Sequence, residues 1–294
     1  MFADPTADLM LGDSLANSLL LTAIPSWWQA ILLGFIQGAT EFLPISSIAH
    51  LRIIPAFLGW PDFGVSFSAV IQLGSLGALL WYFRQDIRQV GQGCGQAVRK
   101  GQWQSESARL LLGLVVGTLP LVLAGWLVKA TVGSPPRGLP VIATALIGLG
   151  LLLEWAERVG SRRRGMADIR IWDGFWVGCA QMLALIPGVS RSGATLTAGL
   201  LVGLDRPAAA RFSFLLGIPA LFVAGMVELV TEIQRTPASL VSVFWGTLSA
   251  FVFSYWAIDF LLKFLRAHST RIFVVYRVVL GVVIWIGWGL GYWH

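Results

Sequence analysis

Charge and cysteine are both scarce in this chain. Of its 294 residues only 12% are Asp, Glu, Lys or Arg, about half the share usual in soluble proteins, which excludes an ordinary solvated surface over most of the length. Cys94 and Cys179 are too few and too differently placed for a disulfide framework or a metal knuckle, so both are expected to be free thiols. There is no P-loop, no dinucleotide fingerprint, no HExxH and no heme motif. Strict apolar/polar alternation is also missing, which argues against a lipid-spanning barrel. Residues 1–24 carry Asp4, Asp8 and Asp13 but no basic residue, so they lack the positive start of a signal peptide and read as an amphipathic or disordered lead-in.

What the chain does have is apolar sequence. The apolar share is 56% and the mean hydropathy is +0.74, arranged in continuous runs that predict an all-α polytopic membrane protein forming a single domain over 1–294. The net charge of +6 falls in short connections between apolar runs, so it reads as a topology signal rather than a nucleic-acid surface.

Full spans are predicted at 65–83, 110–128, 139–157, 212–230, 241–262 and 272–291. The connection over 84–109 reads as a long basic cytoplasmic loop. Arg158, Arg162, Arg163 and Arg164 mark the same side, as do Arg206, Arg211, Lys263, Arg266 and Arg271. The GSPPRGLP turn from Gly133 to Pro140 is then outside, and six crossings place both termini outside. Two other regions are apolar but broken near the middle: 27–43 with 44–58 around Pro44, and 172–186 with 189–203 around Pro187-Gly188. Each reads as a re-entrant helical hairpin, because non-helical backbone at membrane depth is tolerated only inside protein or beside a wet cavity.

The halves repeat. Gly34, Gln37 and Ser46 align with Gly178, Gln181 and Ser190 at an offset of 144, and Phe67-Ser68 with Phe212-Ser213 at 145. Three crossings per half turn the second half upside down, giving inverted repeats over about 27–157 and 172–291 whose hairpin tips meet near the midplane.

The polar residues concentrate at those tips. An intramembrane acid such as Glu41 costs about 2.5 to 3.5 kcal/mol and is a functional candidate by default; the plain structural alternative is an ion pair with Arg52 or Arg191. Gln37, one turn earlier, shares its face, so the two are candidates to hold a divalent cation or a water. Arg191 begins a half-helix between Ser190 and Ser192, where a guanidinium and free backbone N–H groups make an anion cradle. Ser46, Ser47 and His50 supply nucleophile and proton-transfer candidates, with Ser47 and His50 spaced to interact on one helical face. Thr195 and Gln181 are candidates to line the cradle, and Gln72 to face it. Arg277, one turn inside the last span, is expected to snorkel or to pair with an acid.

Gln37, Glu41, Pro44, Ser46, Ser47 and His50, followed by the full PGVSRSGAT string from Pro187 to Thr195, resemble the undecaprenyl-diphosphate phosphatase family, the bacitracin-resistance proteins. Nearly the whole chain is covered. The resemblance implies an inverted-repeat fold and hydrolysis of undecaprenyl diphosphate, an isoprenoid diphosphate lipid, to undecaprenyl phosphate. It further implies use of a divalent cation, Mg2+ or Ca2+, and a site open to the outer face of the plasma membrane. Gln37 stands where many members carry glutamate, so metal binding leans on Glu41 and the substrate phosphates; Ile48-Ala49 stand where many carry Thr-Gly, so no direct role is expected of those two positions. A lipid-phosphate transporter built on the same midplane site is the alternative reading, and the oligomeric state, a homodimer included, is left open.

Overall fold

The computed structural model describes residues 25–133, 138–232 and 239–292. The lead-in at 1–24 and the middle of the GSPPRGLP turn lie outside the described residues. Regular structure among those described is helical: α1 (Trp27–Glu41), α2 (Ser47–Phe57), α3 (Gly64–Tyr82), α4 (Arg84–Lys100), α5 (Glu106–Thr131), α6 (Leu139–Val159), α7 (Ile171–Gln181), α8 (Arg191–Leu201), α9 (Arg206–Glu232), α10 (Leu240–Ala267) and α11 (Arg271–Gly289). Five stretches are long and apolar enough to cross a membrane, within α5, α6, α9, α10 and α11, and α3 adds a shorter apolar run over Phe67–Tyr82.

The surface is unlike that of a soluble protein. Large apolar side chains such as Leu123, Trp126, Trp155, Trp176 and Phe244 are exposed, while Gln37, His50, Gln181, Thr195 and Arg277 are buried. An apolar outside around an apolar core that encloses a minority of polar side chains is the arrangement lipid demands. Only 11% of the apolar window of α5 is buried against 56% for that of α9, which makes α9 the central post and α5 a peripheral one.

Helices approach closely where glycine removes the side chain. A Cβ on Gly34 of α1 would strike the carbonyl of Gly246 on α10, and one on Gly178 of α7 would strike that of Gly117 on α5. The first arm of each hairpin therefore packs on a long helix of the opposite half, through the small-residue contacts that lipid-embedded helices use. Serines add polar ties, Ser249 Oγ donating to Ile31 O at 2.8 Å and Ser254 Oγ to Ser75 Oγ at 2.8 Å.

One expectation is corrected. The segment after α3 is not a loop: it forms α4, whose Ile87, Val90, Cys94 and Ala97 recur at helical spacing, with Val90 and Ala97 buried. Several arginines read as topology signals are also structural. Glu157 is buried and accepts from Arg162, Arg206 and Thr270, tying the end of α6 to the starts of α9 and α11. Arg164 grips Asp173 with both Nη atoms, and that hydrogen-bonded carboxylate raises the guanidinium above its ordinary pKa. Both cysteines are free.

Candidate active site

Each hairpin breaks at a proline and restarts as a helix after a serine in the left-handed region. Ser46 has φ 73° and Ser190 φ 67°, unusual for residues other than glycine, and they are the N-caps of α2 and α8. Ser47 and Arg191 are thus the first helical residues of half-helices whose unpaired N–H groups and positive dipole ends lie at the tips.

Between the tips the polar groups converge on Glu41, the last residue of α1. Its Oε2 accepts from Gln37 Nε2 at 3.0 Å and from Ser47 Oγ at 2.7 Å. Its Oε1 faces Arg191 Nη2 at 3.4 Å. Ser192 Oγ lies 3.2 Å from Glu41 O and 3.1 Å from Leu43 O, bridging the two hairpins, and 3.1 Å from Ser190 Oγ. Ser190 Oγ accepts from the Gly193 amide at 3.2 Å. Arg191 Nε and Nη1 are buried without a hydrogen-bond partner among the described residues. A buried guanidinium with idle donors is poised for an anion, since leaving such groups unpaired is costly.

Arg191 reaches this position because α9 makes room. A Cβ on Gly217 would collide with Arg191 Nη1, so glycine here is a spatial requirement. A crevice of about 80 Å³ opens beside Ser47, lined by Gln37, Ser47, Arg52, Asp62, Ser68 and Gln72 among others. Gln72 thus faces the Ser47 side of the site. Arg52 pairs with Asp62 at 2.5 Å at the crevice rim rather than with Glu41. On the other side of the second tip, Val189, Ile186 and Leu183 border an apolar groove of about 590 Å³ with Ala145, Leu149 and Trp285.

Several predicted members are placed differently. Ser47 and His50 do not turn toward one another: the Ser47 hydroxyl goes to Glu41, whereas His50 Nδ1 lies 2.7 Å from Ser46 O and Nε2 2.6 Å from Tyr276 Oη. Ser46 is buried and presents its carbonyl to that ring. Thr195 Oγ1 donates to Arg191 O at 2.8 Å and lies 2.5 Å from Ser213 Oγ, so it supports the helix behind the guanidinium. Gln181 is fully buried with both amide atoms unpaired among the described residues.

Arg277 neither snorkels nor pairs with an acid. It is fully buried and donates to the carbonyls of Pro44, Ala145, Leu146, Gly188 and Val189 at 3.0 to 3.2 Å. One guanidinium thereby meets carbonyls at both broken tips, the neutral acceptors that a backbone without helical bonds leaves over, and adds two carbonyls inside the regular helix α6. Tyr276 and Gly217 are the members that sequence reasoning missed, and Arg277 was noticed there with the wrong partners. The two tips around Pro44 and Gly188 did announce unpaired carbonyls in need of a buried donor, and that signal singles out an arginine inside a span.

The groups beside Ser47 that can ligate a cation are oxygens, the Glu41 carboxylate and the hydroxyl itself, joined by the Gln37 amide oxygen once that amide, whose Nε2 now donates to Glu41, turns over. Hard divalent cations take such donors, Mg2+ typically through one or two carboxylates completed by substrate phosphates. No group of three or more His, Cys, Asp or Glu among the described residues is placed to hold a metal. The set therefore fits a cation shared with a phosphate ligand better than one caged by protein alone.

The family model "Bacitracin resistance protein BacA" matches residues 30–283. A protein named undecaprenyl-diphosphatase from Synechococcus sp. (strain JA-3-3Ab) is 62% identical over 268 residues, covering 91% of this chain and 96% of its own length. Proteins of the same name from Synechococcus elongatus and Gloeobacter violaceus are 54% and 50% identical, each across 87% of this chain and across 91% and 90% of their own lengths. The chain belongs to the bacitracin resistance protein BacA family.

Proposed function

We propose that this chain is an integral membrane phosphatase that hydrolyses undecaprenyl diphosphate to undecaprenyl phosphate and inorganic phosphate. That reaction returns the lipid carrier to cell-wall polysaccharide synthesis, and an abundant phosphatase of this kind opposes bacitracin. The observation that carries the reading is the convergence of Ser47, Glu41 and Arg191 from two helix tips onto one buried point.

The chemistry follows from the contacts. Arg191 Nε and Nη1, helped by Ser190, Ser192 and the free N–H groups at the starts of α2 and α8, hold the diphosphate and neutralise charge spreading over its oxygens. Glu41 takes the Ser47 proton as Ser47 Oγ attacks the terminal phosphorus. The bond from that phosphorus to the bridging oxygen breaks, Glu41 passes the proton it took to that oxygen, undecaprenyl phosphate leaves with it, and the phosphoryl group rests on Ser47 beside a carboxylate that is ionised again. Glu41 then deprotonates the water that attacks the phosphoserine, and phosphate departs as Ser47 recovers its proton. Glu41 and Gln37 would hold a divalent cation, which supplies charge neutralisation on the phosphoryl oxygens. The apolar groove beside Val189 suits the isoprenoid chain, which otherwise lies in lipid between helices.

In this reading the protein is a multi-pass protein of the plasma membrane. Its six crossings run through α3, α5, α6, α9, α10 and α11, its two hairpins are re-entrant, and its halves are inverted repeats. Matching left-handed turns at Ser46 and Ser190, and the exchange of glycine contacts between halves, support the repeat. The arginine-rich connections then face the cytoplasm, the ends of the helical bundle lie outside, and the site opens outward.

Phosphate release from undecaprenyl diphosphate by the detergent-solubilised protein, with and without chelator, tests the function. Release that the chelator suppresses is expected. Leaflet exchange of undecaprenyl phosphate with no phosphate release would instead favour the transporter.

A further inference from the structure

Building on the phosphatase reading, we propose that Tyr276 is a positioning residue for the reaction: through His50 it braces the turn at Ser46 that aims Ser47 at Glu41. The chain of contacts is directional. His50 Nδ1 lies 2.7 Å from Ser46 O, and a carbonyl only accepts, so Nδ1 carries the hydrogen. A neutral ring then offers Nε2 as acceptor, and the Tyr276 hydroxyl 2.6 Å away donates to it. The two rings lie parallel, 6° apart with centroids 5.6 Å distant, and His50 is 5% exposed. Both ring nitrogens are spoken for, so the imidazole acts as a strut rather than as the proton acceptor for Ser47.

The second tip shows why the first needs a strut. Ser190 and Ser46 share the same left-handed backbone, with φ 67° and 73°. Such a conformation is strained outside glycine and persists only where its surroundings over-determine it. At Ser190 the residue's own hydroxyl caps the Gly193 amide and closes the turn locally. Ser46 makes no side-chain cap, and its turn is held through its carbonyl by His50 and, one step farther, by Tyr276. Ser47 follows directly, so relaxation at Ser46 swings its hydroxyl away from the Glu41 oxygen 2.7 Å away.

The test uses the full chain in detergent with 15N-labelled histidine. His50 shares the sequence with only His268 and His294, so its resonances are assigned by comparison with His50→Gln. In the wild-type protein His50 is expected as the neutral Nδ1–H tautomer. In Tyr276→Phe the Nε2–H tautomer should appear and kcat should fall about tenfold with KM within about twofold, the loss of one aligning hydrogen bond. An Nε2–H tautomer in the wild type, an unchanged kcat, or an effect confined to KM would overturn the proposal. If Tyr276→Phe does not fold, the wild-type tautomer alone decides. Phosphate release by the wild type is measured first, and its absence would sink the phosphatase reading while leaving the tautomer result standing.

Discussion

The tips of the two hairpins share a backbone but differ in what they carry. The first presents Glu41 and Ser47, and its turn at Ser46 is held from outside by His50. The second presents Arg191, and its turn at Ser190 is closed by its own hydroxyl. The same split recurs one helix later: at the offset of 145 that aligns Phe67 with Phe212, Gln72 lines the crevice by Ser47, whereas Gly217 leaves room for the Arg191 guanidinium. Equal frames thus hold unequal chemistry. A self-capped turn spends its hydroxyl on the backbone and suits a rigid grip on an anion. A turn braced through its carbonyl leaves the neighbouring hydroxyl to a carboxylate.

If this division is right, substitutions at the two tips should separate in kinetics. Glu41→Gln removes the acceptor for the Ser47 proton and should lower kcat about a thousandfold, within the range of a lost general base; a loss below about tenfold would break the comparison at its chemical end. Arg191→Ala should lower kcat/KM roughly a hundredfold or more, with much of the loss in KM, and Arg191→Lys should not restore it, because an ammonium cannot reproduce the planar fork. Gly217→Ala, which pushes on Nη1 without touching the first tip, should raise KM about tenfold, the effect of a displaced hydrogen-bonding cation, with kcat little changed. The smallest effect sharpens the comparison of the turns. Ser190→Ala should cost about 1 kcal/mol of stability as a lost cap, while Ser46→Ala, with no cap to lose, should cost less; thermal unfolding in detergent reads both.

Much of the fold was legible because lipid enforces simple rules. Continuous apolar runs placed five of the crossing helices within a few residues of their ends, and Pro44 with Pro187-Gly188 placed both breaks. Within the site, Gln37 and Glu41 were readable as a pair because one helical turn separates them. The bond from Ser47 to Glu41 was not, since it crosses a proline break where helical spacing has no meaning, and the same spacing rule suggested a Ser47 contact for His50. Arg277 and Tyr276 come from the last helix, more than two hundred residues from the first tip, so tertiary structure alone reveals Tyr276 and shows which carbonyls Arg277 serves. α4 was missed for a different reason: its basic residues drew attention from the helical spacing of Ile87, Val90, Cys94 and Ala97, which the sequence does display.

The central claim is that the two tips form one site in which Ser47 attacks the terminal phosphorus. Rapid quenching of the solubilised protein with substrate labelled on that phosphorus tests it most directly. The account predicts label on the peptide containing Ser47, with neither label nor phosphate release in Ser47→Ala. Undiminished phosphate release by Ser47→Ala would contradict it.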